Sequence, residues 1–523
     1  MSSTFDKTDD SVVVVIGSGA GGGTVAHELC EKGIKVVVLE AGPRLTIDDF
    51  HNDELAAYLQ LTWLDKRIAT GDWPAATLAP NAPNWIVKAV GGSTVHWNGI
   101  SLRAQPHEFQ AGTIYGNVEG ATVADWPVTY DELDPYYSRA EDKMGVTGTH
   151  GIERHPANNN YKVLYNGAKR IGYSQISNAR LAINSEFRDG RSACVQLGFC
   201  NQGCKMGAKW STLYSEIPKA EETGNLDLRT GCMVLNIEHD ASGKVTGVVY
   251  VDGDGNQQRQ RARVVCVAGN SIETPRLLLN SASSLFPDGL ANSSGEVGRN
   301  YTHHTGGITF GEFEEPVNMN RGITVPGAVF DEARHDPTRG FAGGYLLEAV
   351  SVGMMNFAVV GDPAGWGRDY TAYLEKYAHM AGVLLVGEDM PRSQNGVTLH
   401  DTERDQHGLP VPVVNVETHD NDVAMADHFK GQADALLRAA GATSTRHVIT
   451  VPATHNMGTC RMSANAGKGV VNSFGQSHDV KNLFVSDGSQ FVTATAENPT
   501  LTIVALALRQ ADHIARQMTA KAL

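Results

Sequence analysis

The N-terminal stretch SVVVVIGSGAGGGTVAHELCEKGIKVVVLEAGP constrains the fold more than any other part of the sequence. A run of β-branched residues at 12–16 is typical of a buried parallel strand. Gly17, Gly19 and Gly22 follow it directly with the spacing G-x-G-x-x-G, and residues 24–32 can form a helix. This order of strand, glycine turn and helix predicts an α/β fold with a parallel sheet that binds a dinucleotide.

Each glycine of this turn has its own physical task. Gly17 permits the tight turn, Gly19 lets backbone N–H groups reach a pyrophosphate, and Gly22 allows the helix to pack closely. The next strand, 36–39, ends at Glu40, whose carboxylate can accept hydrogen bonds from a ribose diol. An acid at this position favours FAD or NAD over a 2′-phosphorylated dinucleotide. Since no second fingerprint of this quality occurs in the sequence, we expect one bound dinucleotide.

Charge and composition argue against several classes of protein. The 523 residues are too many for one hydrophobic core, so we expect two intertwined domains. The formal charge of −15 would repel a phosphate backbone, so nucleic-acid binding is not expected. The polar N-terminus does not resemble a secretory signal, and no apolar run approaches the ~20 residues of a membrane span. The odd number of cysteines, seven, argues against a disulfide framework, and we expect a cytoplasmic location without a membrane partner.

Four further segments carry a family resemblance. They are VGGSTVHWNG (90–99), VVCVAGNSIETPRLLLNS (264–281), VGRNYTHH (297–304) and NLFVSDGSQFVTATAENPTLTIVALALRQADHIARQM (482–518). Together with the N-terminal turn, and in this order, they resemble the glucose–methanol–choline (GMC) family of flavin oxidoreductases. The segment DWPVTYDELDPYYSRAEDKMGVTG also looks like that family. The resemblance runs from end to end of the chain and implies that the dinucleotide is FAD.

The resemblance also implies the domain organisation. A Rossmann-like FAD-binding domain with a parallel sheet would be interleaved with a substrate domain, which is built on an antiparallel sheet with flanking helices. The FAD-binding domain would comprise residues 1–110, 225–305 and 450–523. The substrate domain would comprise residues 111–224 and 306–449. Strand-like runs separated by turns at 396–417 agree with this division.

The resemblance singles out two residues for the chemistry. His455 lies before a G-T-C turn, and Asn498 lies in the loop before the last helix. Members of the family carry a His and a His or Asn at these positions, facing flavin N5. A neutral imidazole suits the removal of a hydroxyl proton, and an amide can hold the same hydroxyl. We interpret His455 as the base and Asn498 as its partner, and Asn498 can also cap the last helix.

Further FAD contacts are expected in glycine-rich turns and at strand ends, namely Ala20, Gly91, Gly92, Ser93, His96, Asn98, Val234, Ala268, Asp487, Gly488, Pro499 and Thr500. The motif VGGSTVHW closely resembles the one in fungal pyranose oxidases, where the histidine carries a covalent flavin link. A covalent link to His96 is therefore possible. Related bacterial dehydrogenases carry similar motifs without the bond, and we favour non-covalent FAD.

Three cysteines, Cys194, Cys200 and Cys204, occur at C-x5-C-x3-C. Thiolates this close could ligate an iron–sulfur cluster, and the spacing resembles the cluster segment of bacterial sugar dehydrogenases. A disulfide and free thiols are the alternatives, and we favour free thiols without a metal. A cluster would indicate a dehydrogenase that passes electrons to a partner protein.

The motifs THNMG and AENPTLT look like the branch of bacterial pyranose oxidases and C-glycoside 3-oxidases. That branch implies oxidation of a secondary ring hydroxyl of a pyranose sugar or glycoside to a ketone. Electrons would pass to O2 or to an artificial or quinone acceptor, with an oxidase favoured. The alternatives are the catalytic subunit of a gluconate, polyol or sugar dehydrogenase, and a flavin-binding relative without catalysis. The sequence does not specify the sugar, the carbon that is oxidised or the oligomeric state.

Overall fold

The computed structural model describes residues 4–60, 66–81, 83–362, 365–449 and 452–523. Residues 1–3, and position 450 where the third FAD segment is predicted to begin, lie outside the described residues. The α-helices are α1 Ala20–Glu31, α2 Glu54–Gln60, α3 Pro74–Leu78, α4 Ala111–Tyr115, α5 Tyr130–Met144, α6 Asn159–Arg170, α7 Glu216–Glu222, α8 Asn270–Asn280, α9 Met354–Gly361, α10 Gly367–Glu375, α11 Asp420–Ala440 and α12 Thr500–Thr519. The strands are β1 Val13–Ile16, β2 Val36–Glu40, β3 Ile68–Gly71, β4 Ile176–Asn178, β5 Leu226–Thr230, β6 Met233–His239, β7 Val245–Val251, β8 Gln257–Arg261, β9 Val264–Val267, β10 Thr305–Glu312, β11 Gly327–Val329, β12 Tyr345–Ala349, β13 Met380–Gly387, β14 Gly396–Arg404, β15 Pro410–Val416, β16 Ser444–Val448 and β17 Leu483–Val485.

One of the two large sheets is parallel and has five strands in the order β17-β9-β1-β2-β5. Its strands come from the N-terminal, middle and C-terminal parts of the chain. Alternate residues of β1 belong to two different cores, with Val14 in one and Val13 in the other, because successive side chains of a strand point to opposite faces. Both faces are buried, which explains the continuous β-branched run in the sequence.

The other large sheet is antiparallel and has six strands in the order β16-β10-β13-β12-β11-β4. Helices α6 and α11 cover one face, where Leu347 packs with Leu164 and Leu437. Leu346, the next residue along β12, packs on the opposite face with Ile308. The predicted fold class is therefore confirmed: a parallel sheet and an antiparallel sheet with flanking helices.

Two smaller three-stranded sheets complete the architecture, with the orders β14-β15-β3 and β6-β7-β8. The strands predicted within 396–417 are confirmed as β14 and β15. Strand β3 pairs in parallel with β15 although it lies in the first predicted FAD segment, so the two predicted domains share a sheet. The exact domain boundaries given above remain a proposal. Among the described helices, none has the combination of length and apolar character needed to cross a membrane.

Two local predictions were wrong. Helix α1 begins at Ala20 rather than at residue 24, because the glycine turn itself forms its first turn: the Gly23 N–H donates to the Gly19 carbonyl at 2.9 Å. Asn498 does not cap the last helix. Pro499 occupies the N-cap position with near-helical φ and ψ angles, which leaves the side chain of Asn498 to face the cavity described next.

Candidate active site

A cavity of about 360 Å³ lies between the two large sheets. His455 and Asn498 are both in its wall, so the structure brings the two predicted catalytic residues to one space. The wall also contains most of the predicted FAD contacts, namely Gly17, Gly19, Ala20, Glu40, Gly92, Ser93, His96, Asn98, Val234, Ala268, Asp487, Gly488, Pro499 and Thr500. Gly22 and Gly91 lie behind this wall and shape the turns that form it.

The N-terminus of α1 is the part of the wall that fits a pyrophosphate. Gly19 is the N-cap, and no described side chain caps the free N–H groups of the first turn. Such uncapped N–H groups form a natural anion site. A Cβ at Gly17 would lie 2.5 Å from the Ala268 carbonyl oxygen, and one at Gly22 would lie 2.1 Å from the Gly17 oxygen. Only glycine therefore permits this close turn, as the fingerprint requires.

Glu40 lies at the end of β2 and forms the next part of the wall. One carboxylate oxygen accepts hydrogen bonds from the Ser18 N–H and hydroxyl at 3.1 and 2.7 Å, and the other accepts from the Gly42 N–H at 2.9 Å. Burial raises the pKa of this carboxyl group. A carboxylate offers about four acceptor positions, so one remains for a ribose hydroxyl. The residue fits the role that the sequence predicts for it.

Asp487 lies in the cavity wall and is held there by the protein. Its carboxylate accepts hydrogen bonds from the Asn270 N–H and the Thr274 hydroxyl at 2.8 and 2.6 Å. It also accepts from the Ser489 N–H and hydroxyl at 2.9 and 2.5 Å. These four bonds use its acceptor positions. The side chain therefore fixes the loop after β17 against the start of α8, and its contact with FAD remains a prediction.

His96 presents an unprotonated ring nitrogen to the cavity. Its Nδ1 lies 3.2 Å from the Asn201 carbonyl oxygen, which can only accept, so Nδ1 carries the proton. Its Nε2 has no hydrogen-bond partner among the described residues. Burial lowers the pKa of His96 to about 4, so the ring is neutral. A neutral ring with a free Nε2 is compatible with either packing against the flavin or the predicted covalent link.

The buried Lys209 holds the His96 turn in place. Its ammonium group donates to the carbonyl oxygens of Val95, Trp97 and Cys200 at 2.9, 2.7 and 2.5 Å. The lysine therefore connects the turn to the cysteine segment. Burial lowers the pKa of Lys209 to about 8.

His455 is oriented by a second histidine. His455 Nδ1 and His304 Nδ1 lie 2.9 Å apart, and His304 Nε2 lies 3.1 Å from the Ala494 carbonyl oxygen. The carbonyl can only accept, so His304 Nε2 carries the proton and His304 Nδ1 accepts from His455. Asp389 holds this chain in place, since its carboxylate accepts from the backbone N–H groups of His303 and His304 at 2.9 and 3.1 Å.

These hydrogen bonds leave Nε2 as the unprotonated nitrogen of His455. Removal from water lowers the pKa of His455 well below 6.5, and the nearby His304 adds to the shift. Burial also lowers the pKa of His304. Both rings are therefore neutral near pH 7. Of the four ring nitrogens, only His455 Nε2 has a lone pair that is not used in this pair of hydrogen bonds.

Asn498 and Glu348 form a polar patch beside His455. Glu348 lies on β12 and is 1% exposed, and its carboxylate oxygens have no hydrogen-bond partner among the described residues. The Asn498 Oδ1 atom is also without a partner within the described part of the chain. Burial raises the pKa of Glu348 to about 8, and the Asn498 side chain opposes this shift. Buried polar atoms without partners are costly, so this wall of the cavity is built for a polar ligand.

The cysteines of the triplet are not joined by disulfides. Cys194, Cys200 and Cys204 are free, and burial raises the pKa of Cys194 to about 11, which disfavours a thiolate. Among the described residues, a set of three ligand atoms within 4.8 Å of one another occurs only at His27, Glu28 and Glu31. Glu28 forms ion pairs with Lys143 at 3.1 Å and Arg139 at 2.8 Å, so that set is an ion-paired cluster. Free thiols without a metal remain the prediction for the triplet.

Three residues of this site were missed at the level of sequence: His304, Glu348 and Lys209. His304 is the last residue of the segment VGRNYTHH. The two adjacent histidines that end this segment could have indicated a site residue. Glu348 is an acid within the otherwise apolar run YLLEAV, which marks a buried charge that needs a reason. Lys209 follows the cysteine segment and had no distinguishing pattern.

Comparison with known proteins finds matches along most of this chain. Family models described as GMC oxidoreductase match residues 14–306 and 391–507. The chain is 34% identical to a 2-methyl-1,2-propanediol dehydrogenase of Mycolicibacterium austroafricanum, over 99% of this chain and 97% of that protein. It is 29% identical to the fructose dehydrogenase large subunit of Gluconobacter japonicus, over 97% of this chain and 98% of the other. The solved structure of pyridoxine 4-oxidase from Mesorbium loti shares the fold, with a TM-score of 0.68 at 17% identity, covering 97% of this chain and 99% of that one.

Proposed function

Because the chain belongs to the GMC oxidoreductase family, and is an FAD-dependent oxidoreductase of alcohol or sugar CH–OH groups, we propose that it oxidises a secondary ring hydroxyl of a pyranose sugar or glycoside to a ketone. The observation that carries the catalytic part is the free Nε2 of His455 in a cavity whose wall fits FAD. The fructose dehydrogenase relative supports a sugar as substrate. The motifs of the pyranose-oxidising branch support the ring hydroxyl.

In the proposed reaction, His455 Nε2 accepts the proton of the substrate hydroxyl. Asn498 accepts or donates a hydrogen bond at the same oxygen and fixes its direction. His304 keeps the proton of His455 on Nδ1, so Nε2 is unprotonated when the substrate binds. Bound FAD supplies the acceptor for the hydride that leaves the carbinol carbon.

We expect anaerobic addition of the right sugar or glycoside to bleach the visible flavin absorbance of the purified protein. The test uses a panel of pyranoses, C-glycosides and polyols, followed by air. Rapid return of the absorbance in air would support an oxidase, and slow return would support a dehydrogenase. A folded protein that holds FAD but is bleached by no alcohol in the panel would contradict the proposal. Mass measurement of the denatured chain tests whether FAD is attached to His96.

A polyol dehydrogenase is the second candidate. The relative that is 34% identical along the whole chain is named for a small branched diol. A small diol would need no ring-binding contacts, and electrons would pass to an acceptor other than O2. Bleaching by small diols but by no pyranose in the panel would select this candidate.

His304→Phe is expected to lower the rate of flavin reduction at least about tenfold with FAD still bound, because His455 loses the acceptor that keeps Nε2 unprotonated. His304→Gln, whose side-chain carbonyl can accept, should restore part of the rate. The pH profile of reduction should change in the Phe variant and recover in the Gln variant. The control is His513→Phe, since His513 stacks on Phe474 outside the cavity wall. Equal rates for His304→Phe and the control would rule out this orienting role.

A further inference from the structure

Glu348 stands apart from the other acids of the cavity wall. It lies on β12, and its cross-strand partner in β13 is Leu384, which is also in the wall. Glu40 and Asp487 have protein donors for their carboxylates, whereas both oxygens of Glu348 lack a partner among the described residues. The Asn498 side chain lies close enough to interact with this carboxyl group, which still keeps open positions that a ligand group can satisfy.

The position of Glu348 relative to Asn498 indicates what that ligand group is. The proposed role of Asn498 is to hold the hydroxyl that is oxidised. Asn498 is the side chain that opposes the pKa shift of Glu348, so the two side chains are direct neighbours. Two hydroxyls on adjacent carbons are also direct neighbours. A substrate whose reacting hydroxyl lies at Asn498 would therefore place the hydroxyl of the next carbon at Glu348.

We infer that Glu348 binds the hydroxyl adjacent to the one that is oxidised, and that the substrate class is therefore the vicinal diols, in a sugar ring or in an open chain. This inference rests on the proposed function, since it takes the reacting hydroxyl to lie at Asn498. It makes Glu348 a residue for substrate binding and specificity. It also covers both candidate functions, because pyranoses and small 1,2-diols share this group.

The charge state of Glu348 agrees with a neutral ligand. Burial raises its pKa to about 8, and the opposing contribution comes from an amide, not from a cation. The carboxyl group is therefore protonated at pH 7 and can donate one hydrogen bond and accept another, which is what a hydroxyl requires. An ammonium group would need the ionised form instead.

The first test compares propane-1,2-diol with propan-1-ol as anaerobic reductants of the FAD-bound protein. The wild type should prefer the diol about 10- to 100-fold in the second-order rate constant of reduction, which is the value of one buried hydrogen bond. Glu348→Leu should lose this preference, because the adjacent hydroxyl no longer has a polar partner. Glu348→Gln should keep most of the preference, because an amide also donates and accepts. Glu312→Gln, a β10 acid paired with Lys376 outside the cavity wall, is the control.

The second test measures binding without turnover. The probe is 2,3-dimethylbutane-2,3-diol, which has no carbinol C–H and cannot be oxidised, and its matched mono-alcohol is 2,3-dimethylbutan-2-ol. We expect the diol, and not the mono-alcohol, to perturb the flavin spectrum and to raise the melting temperature. Glu348→Leu should abolish both effects.

Three outcomes would overturn the inference. The first is an unchanged diol preference in Glu348→Leu that has full FAD content. The second is loss of reduction by both alcohols in Glu348→Gln, which would make Glu348 a base. The third is tighter binding of 1-aminopropan-2-ol than of propane-1,2-diol, which would indicate an ammonium site. Glu348-dependent diol binding in a protein whose flavin no alcohol reduces would contradict the proposed function while supporting the binding role.

Discussion

His455→Ala is expected to lower the rate of anaerobic flavin reduction by an alcohol about 10²- to 10⁴-fold, which is the usual contribution of a positioned general base. FAD should remain bound, because the cradle at Gly19 and Glu40 does not depend on this ring. The physical reason is that Nε2 of His455 is the one lone pair that the histidine pair leaves free. The measurement is stopped-flow reduction with excess substrate, together with the ratio of flavin to protein.

The pH dependence of the same rate gives an independent check. A histidine whose pKa is lowered stays neutral as pH falls through 6.5, so the wild-type rate should not decline there. The decline should come only at lower pH, when Nε2 is protonated, and it should be absent in His455→Ala. The control is His478→Ala, whose ring bonds the Ser463 carbonyl outside the cavity wall. A His455→Ala rate equal to that of the control would show that another group is the base.

The sequence predicted those parts of the fold that depend on local pattern. The β-branched run of β1 is buried on both faces, and this alone produces a continuous apolar strand. The G-x-G-x-x-G spacing reports backbone geometry, and the distances at Gly17 and Gly22 explain why those positions exclude a side chain. The predicted pair His455 and Asn498 lies in one cavity although the two residues are 43 positions apart. The family resemblance, and not a local pattern, predicted this pair.

The parts that the sequence missed depend on contacts between distant segments. His304 orients His455 across 151 positions of sequence, and no local pattern encodes such a contact. Glu348 is recognised as a site residue because Asn498 lies beside it, and Asn498 comes from the distant loop before α12. Asp487 was assigned to the cofactor from its place after a strand. Its carboxylate also bonds to the start of α8 and to its own loop, and only the three-dimensional packing reveals these contacts.

Gly21→Ala is expected to destabilise the protein by more than about 4 kcal/mol, or to prevent folding. A Cβ at this position would lie 1.5 Å from the carbonyl oxygen of Ser486. Since that atom belongs to backbone, relief requires α1 to move away from the loop after β17. That loop carries Asp487 and Gly488, so the FAD that still binds should bind more weakly. Denaturant unfolding and FAD titration measure the two effects.

Gly431→Ala is the matched control, because Gly431 also lies inside a helix and a Cβ there meets no atom within 4 Å. Alanine favours a helix over glycine, so this change should raise the free energy of unfolding by about 0.5–1 kcal/mol. Gly21→Ala gains the same helix propensity. If it lowers the free energy of unfolding while Gly431→Ala raises it, the difference comes from the contact with Ser486. The G-x-G-x-x-G pattern allows any residue at position 21. By itself it would predict that both variants change the free energy of unfolding in the same direction. Equal stability and FAD affinity in Gly21→Ala would therefore contradict the packing of α1 against Ser486.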